Sequence, residues 1–157
     1  MGKWHEINRR EPPKPTTGIA VDASCIPCPT HKADGYFHGR CEHRAMDIAT
    51  GEILISSQVY PQGTINLAEF IAIATAVKHF HEKGDHLTPI YSDSYIAINW
   101  YRDRDLRSNL PLNEFTWEII DAADDMMKWV EANSPRNPVM KWRTRLWGDV
   151  PADYGRK

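Results

Sequence analysis

The hydrophobic pattern of this chain changes period at Asn66, and that change narrows the folds open to it. Upstream, Thr17 to Ser24 (TGIAVDAS) is β-branched and apolar enough for a first strand. Residues 41–49 and Glu52 to Tyr60 flank Thr50-Gly51, a hairpin turn signal, and Pro61-Gln62-Gly63 then breaks the third strand. From Asn66 the spacing is helical. Leu67, Phe70, Ile71, Ala74 and Val77 form one stripe, Ile73, Ala76 and Phe80 a second, and Lys83-Gly84 is a good stop. Thr88 to Ser92 reads as a short buried strand, Ser94 to about Arg102 as a helix, and 113–132 as an amphipathic helix with Phe115, Ile119, Ala122, Met126 and Val130 on one side. Asn137 to Arg143 is a last strand. An antiparallel meander followed by alternating helices and strands implies an α/β fold. Its mixed five-stranded sheet, a three-stranded meander plus two further strands, is flanked by helices.

At 157 residues one domain is expected. Residues 1–16, ending in Glu11-Pro12-Pro13-Lys14-Pro15, are a Pro-rich lead-in, and 17–157 form the domain. No apolar run approaches bilayer length, and Met1 to Glu6 lacks the apolar stretch of a signal peptide, so no membrane partner is expected. Three cysteines cannot pair fully and suit a reducing compartment, which predicts a cytoplasmic protein. Nothing implies an obligatory protein partner. The formal net charge of −2 does not mark a nucleic-acid binder, but its distribution is uneven. Segment 139–157 sets Lys141, Arg143, Arg145, Arg156 and Lys157 against Asp149 and Asp153, whereas 114–131 sets six carboxylates against Lys128 alone. A polyanion would meet the first face and avoid the second. On charge alone, two solvated faces are the favoured reading.

Four carboxylates fit a structural role poorly when taken together. Asp22 interrupts the apolar strand Ile19-Ala20-Val21-Asp22-Ala23, and Glu69 lies on the stripe that continues as Ile73, Ala76 and Phe80. Asp93 ends the strand Ile90-Tyr91-Ser92 where open α/β sheets place ligands, and Asp153 follows Gly148 and Pro151. Singly, each has a plain reading: a strand end in water, a carboxylate at a helix start, a helix cap, a turn residue. Brought near one point, like charges are unfavourable unless a divalent cation neutralises them, and oxygen-only ligands suit Mg²⁺ or Mn²⁺.

The segments VDAS (21–24), GTINLAEF (63–70), YSDS (91–94) and PADYGRK (151–157) resemble, in order and spacing, the four acidic motifs of the ribonuclease H family. The likeness is closest to short bacterial-type members ending in PAD(F/Y)GRK, and it covers about residues 17–157. It implies that Asp22, Glu69, Asp93 and Asp153 are both the catalytic residues and the ligands of Mg²⁺, with Mn²⁺ able to substitute. It implies hydrolysis of the RNA strand of an RNA/DNA hybrid by two-metal-ion catalysis, leaving 5′-phosphate and 3′-hydroxyl ends. Asn66 and Ser94 match positions that contact the hybrid or lie beside the active site, and Arg143 and Arg145 are the basic residues expected to meet phosphates. Three features depart from the family: Ile65 stands where a second asparagine is common, no histidine lies between Trp142 and Asp153, and a longer insertion, Ile26 to Arg40, replaces the Gly-rich turn. Asp149 competes with Asp153 for the last position, and the PAD match favours Asp153.

Within the insertion, Cys25-x₂-Cys28 followed by Cys41-x-His43 has partial zinc-site spacing, with His31 and His38 as spare ligands. The other reading is that Cys25 and Cys41 are small buried residues and the histidines are solvated. Two other functions fit parts of the pattern: an enzyme of the same fold acting on DNA, resolvase- or exonuclease-like, and a catalytically silent nucleic-acid-binding module. The Asn66 and Ser94 matches argue against the first, and four intact carboxylates against the second.

Overall fold

The computed structural model describes residues 11–27 and 39–155. Among the described residues, six strands and four helices follow in order: β1 (Ile19–Pro27), β2 (Gly39–Asp47), β3 (Ile53–Ser56), β4 (Tyr60–Gly63), α1 (Ile65–Glu82), β5 (Ile90–Ser92), α2 (Tyr95–Asp103), α3 (Trp117–Asn133), β6 (Val139–Lys141) and α4 (Thr144–Trp147). The sheet runs β3-β2-β1-β5-β6, with β4 also paired to β2. The β1–β2, β2–β3 and β2–β4 pairs are antiparallel, and β1–β5 and β5–β6 are parallel. The expected mixed sheet flanked by helices is therefore present. It differs in one place: the single strand expected over 52–60 is two short strands on the same edge of β2, separated by residues 57–59. Pro61, expected to break that strand, lies exposed within β4, where Tyr60 and Gly63 make the pairs with β2, so its missing N–H removes neither.

Central β1 explains its own sequence. Covered on both faces, it reads as a nearly unbroken apolar run, with Ile19, Ala20, Val21 and Ala23 all buried. Alternation sends Ile19, Val21 and Ala23 into the main core and Ala20 into a smaller cluster with Trp142, Val150 and Ala152 on the other face. Asp22, by the same period, belongs to the Ala20 face.

Helix α1 packs on β1, β2 and β5 and also against α2 and α3. That is why both of its apolar stripes are buried: a helix apolar nearly all round is a core helix. It starts where Thr64 accepts a hydrogen bond from Leu67 N (3.4 Å), and Gly84, with φ of 78°, follows its end. Helix α3 begins four residues later than its periodicity suggests. Asn113 Oδ1 accepts from Phe115 N and Thr116 N in a preceding turn, and the buried stripe is Ile119, Ala123, Met127 and Val130. The C-terminal segment closes the second face. Trp142 is fully buried and donates its indole N–H to Gly148 O (2.9 Å), with Trp147 at 5.1 Å edge-on. Trp147 in turn donates to Pro12 O (3.1 Å). No helix among the described residues is long and apolar enough to cross a membrane.

Cys25 and Cys41, directly opposite in the β1–β2 register, form a disulfide. This corrects the expectation of reduced cysteines. Such bonds are rare where thiols are kept reduced, so cysteine usage no longer argues for the cytoplasm.

Two predictions follow from the packing. A methyl group on Gly63 would run into Ile119 Cδ1, lie 3.1 Å from Ile119 Cγ2 and sit 3.3 Å from Cys41 Sγ, where β4 passes beneath α3. Gly63→Ala should therefore lower the urea-unfolding free energy by about 1–3 kcal/mol, and an unchanged midpoint would show that α3 has room to move. His43 is buried on β2, and desolvation pulls its imidazole from 6.5 down to about 4. Neutral in the fold and protonated once unfolded, it makes the unfolded chain bind more protons between those two values. Its contribution is fully present above about pH 6.5 and lost progressively toward pH 4, on the order of 3 kcal/mol in all. Urea unfolding at pH 7 and pH 4.5 checks this: wild type should lose more stability than His43→Gln, and equal losses would contradict the burial of a neutral imidazole.

Candidate metal centre

The parallel β1–β5 ladder is two residues long, Ile19↔Ile90 and Ala20↔Tyr91. Asp22, on β1, and Asp93, just past the end of β5, each lie two residues beyond the last of these pairs, and the two strands point the same way. Their register alone therefore brings them to the crevice at the carboxyl ends of the two strands, the usual ligand position in open α/β sheets. Glu69 enters from the first turns of α1. Its Oε1 accepts from Ala23 N (3.3 Å), a group on β1 past the point where β5 stops covering that strand. One carboxylate oxygen from each of Asp22, Glu69 and Asp93 lies within 4.8 Å of the other two. Asp22 is 0% and Glu69 2% exposed, and Asp93 is half-buried. Burial of two carboxylates beside a third is costly unless positive charge meets them. The donors are all hard oxygens, without thiolate or imidazole, which fits Mg²⁺ or Mn²⁺.

The surrounding chain adds donors that the sequence reading did not single out. Tyr154 N donates to Asp22 Oδ2 (3.1 Å), which ties the C-terminal segment to the site. Arg44, opposite Asp22 in the β1–β2 register, donates from Nε to Ala152 O and from its guanidinium to Asp153 O, both at 2.8 Å. Its guanidinium also stacks 4.2 Å from the Tyr154 ring centre. One strand residue thus holds the segment carrying the PAD motif and sets a positive charge near Asp22. Cross-strand pairing was the available signal, but it needs the β1–β2 register, which the intervening insertion hides. Lys141 Nζ donates to the backbone oxygen of Asp93.

The remaining expected residues fall in three groups. Asp153 is next to the site but its carboxylate is not among the three that converge: its Oδ2 accepts from Gly155 N (3.1 Å) within its own turn. Asp149, the competing residue, is exposed. Asn66 is half-buried in the first turn of α1, three residues before Glu69, and Ser94 caps α2, its hydroxyl accepting from Ala97 N (3.1 Å). Arg143 and Arg145 are exposed beyond β6. The zinc set does not assemble. Cys25 and Cys41 are joined to each other and are not thiolates, Cys28, His31 and His38 lie outside the described residues, and His43 is buried as a neutral core residue. Among the described residues the carboxylate trio is the one group of three or more side chains suited to a metal ion.

No protein-family model matches the chain. Solved structures do. LC11-RNase H1, isolated from compost by a metagenomic approach, is similar at 12% identity and a TM-score of 0.51, over 82% of this chain and 84% of that one. The same enzyme in complex with an RNA/DNA hybrid gives 13% identity and 0.50, over 82% and 86%. The N-terminal RNase H domain of a Mycobacterium tuberculosis protein, solved as a fusion with maltose-binding protein, gives 16% and 0.46, over 81% and 88%. At these identities what is shared is architecture: this chain has the ribonuclease H-like fold.

Proposed function

We propose that this protein is a ribonuclease H, a metal-dependent endonuclease that hydrolyses the RNA strand of RNA/DNA hybrids and leaves 5′-phosphate and 3′-hydroxyl ends. The observation that carries the reading is the convergence of Asp22, Glu69 and Asp93 within 4.8 Å at the open end of the β1–β5 pair. Those three side chains, with Asp153 arriving on the segment that Arg44 and Asp22 hold, would bind Mg²⁺, or Mn²⁺ in its place. A divalent ion so held supplies Lewis acidity toward a phosphoryl oxygen and lowers the pKa of water.

The chain's own residues do the rest. Asp22 and Glu69 are fixed before any substrate arrives, by Tyr154 N and Ala23 N respectively, so no reorganisation is required of them. Asn66, three residues before Glu69 on α1, and Ser94, directly after Asp93, would read the sugar–phosphate backbone rather than bases. Arg143 and Arg145 extend the positive surface past β6 and would meet phosphates further along the strand. The hybrid in the complex of LC11-RNase H1 supports this choice of substrate over an all-DNA duplex.

The test is cleavage of a labelled hybrid by the purified chain. Wild type should cut the RNA strand with Mg²⁺ and stop in EDTA, while leaving a matched DNA duplex whole. Asp22→Asn should lower turnover by several orders of magnitude, as expected for loss of a ligand to the ion that would supply the Lewis acidity, with circular dichroism unchanged. Wild-type activity in that variant, or cleavage persisting in EDTA, would overturn the reading.

A further inference from the structure

Beside Asp93 lies a cleft between the first turn of α2 and the end of β6 with α4. Tyr95, Lys141, Arg143, Thr144, Arg145 and Leu146 line it, and it encloses about 580 Å³, within the range of sites that hold a small molecule. Three of the lining residues are cationic and none is acidic, so the cleft attracts anions. It is continuous with the carboxylates: Lys141 pairs with Ser92 in the β5–β6 register and donates to the backbone oxygen of Asp93.

Tyr95 is the feature that phosphate contacts do not explain. It is the first residue of α2, directly after the Ser94 cap, and it is 59% exposed. The Lys141 ammonium lies 4.5 Å from the ring centre, so one part of the ring is engaged and the rest faces solvent within the cleft. An exposed aromatic ring on a capped helix start, beside two guanidinium groups, is the pairing of stacking platform and phosphate contact by which proteins hold single strands. A base inside a duplex has both faces covered by its neighbours and offers none to the ring.

We infer that this cleft holds an unpaired nucleotide, its base on Tyr95 and its phosphate at Arg143 and Arg145. The inference uses the nuclease reading only to place that nucleotide on a strand running on from the carboxylates. On that basis the preferred substrate is a hybrid bordered by a single-stranded stretch, not a blunt duplex.

Fluorescence anisotropy of the whole chain in EDTA tests this without cleavage, using a short labelled oligoadenylate as RNA, the same sequence as DNA, and a blunt RNA/DNA hybrid. Tyr95→Ala should weaken binding of both single strands roughly tenfold, Tyr95→Phe should bind as wild type, and the blunt hybrid should be nearly insensitive to either change. Replacing both Arg143 and Arg145 with alanine should weaken all three ligands and reduce the salt slope by about 1 to 1.5 on single strands. A melting curve confirms that each variant is folded. Unchanged single-strand binding in Tyr95→Ala, an equal loss on the blunt hybrid, or a loss confined to one sugar type would each overturn the inference. Hybrid cleavage with Mg²⁺, measured separately, distinguishes the two failures: cleavage without a stacking effect sinks this inference alone, and stacking without cleavage sinks the nuclease reading alone.

Discussion

Parallel pairing between β1 and β5 lasts for two residue pairs and then stops, and the site depends on where it stops. A longer ladder would bury Asp22 and Asp93 between neighbouring strands with their charges facing packed side chains. Because the strands part after Ala20 and Tyr91, the next outward positions open on one crevice from both sides. Helix α1 then crosses against the same strands and delivers Glu69 to a backbone N–H that β5 no longer covers. The three carboxylates therefore meet for a topological reason, and the sheet does not have to bend to bring them together.

That arrangement has a cost which the rest of the molecule offsets. Asp22 and Glu69 are almost completely removed from water, where an ionised carboxylate is unfavourable without hydrogen bonds and positive charge. Backbone N–H groups from Tyr154 and Ala23 supply some of the bonding, and Arg44 supplies charge while holding the C-terminal segment by two carbonyls. The buried Trp142 and its cluster with Val150, Ala152 and Ala20 anchor that segment on the far face of β1. Packing at one end of the segment and charge at the other thus serve the same purpose. Residual repulsion among the carboxylates is expected where stability and function compete for the same side chains, and a bound cation relieves it.

Much of this was legible before any coordinates. The change of pattern at Asn66 locates α1 to within a residue, because a helix buried on nearly all sides is apolar on nearly all sides and stands apart from the alternating segments before it. Asp22, Glu69 and Asp93 stood out for the opposite reason: each is a charge in a stretch otherwise composed for burial. What stayed hidden depends on contacts between distant segments. The Cys25–Cys41 bond follows from a nine-pair β1–β2 register that the insertion conceals, so free cysteines and a partial zinc site were the natural readings of spacing alone. The division of the third strand into β3 and β4 reflects a register shift on β2, and Pro61, a breaker by composition, fits within β4 because an edge strand tolerates it. Helix α3 started late because an Asn113 side-chain turn competes with the first helical turn. The motif match names Asp153, and the Gly155 N–H from which its Oδ2 accepts belongs to a turn that no sequence period encodes.

The central claim is that topology gathers Asp22, Glu69 and Asp93 into a divalent-cation site. Calorimetric titration of Mn²⁺ into the metal-free protein tests it most directly, with Glu69→Gln and Asp22→Asn alongside wild type. Wild type should bind saturably, and each variant should bind at least about tenfold more weakly, since even residues that only orient metal ligands commonly matter by 10–100-fold. Binding of unchanged affinity in both variants, or no saturable binding by wild type, would contradict the account.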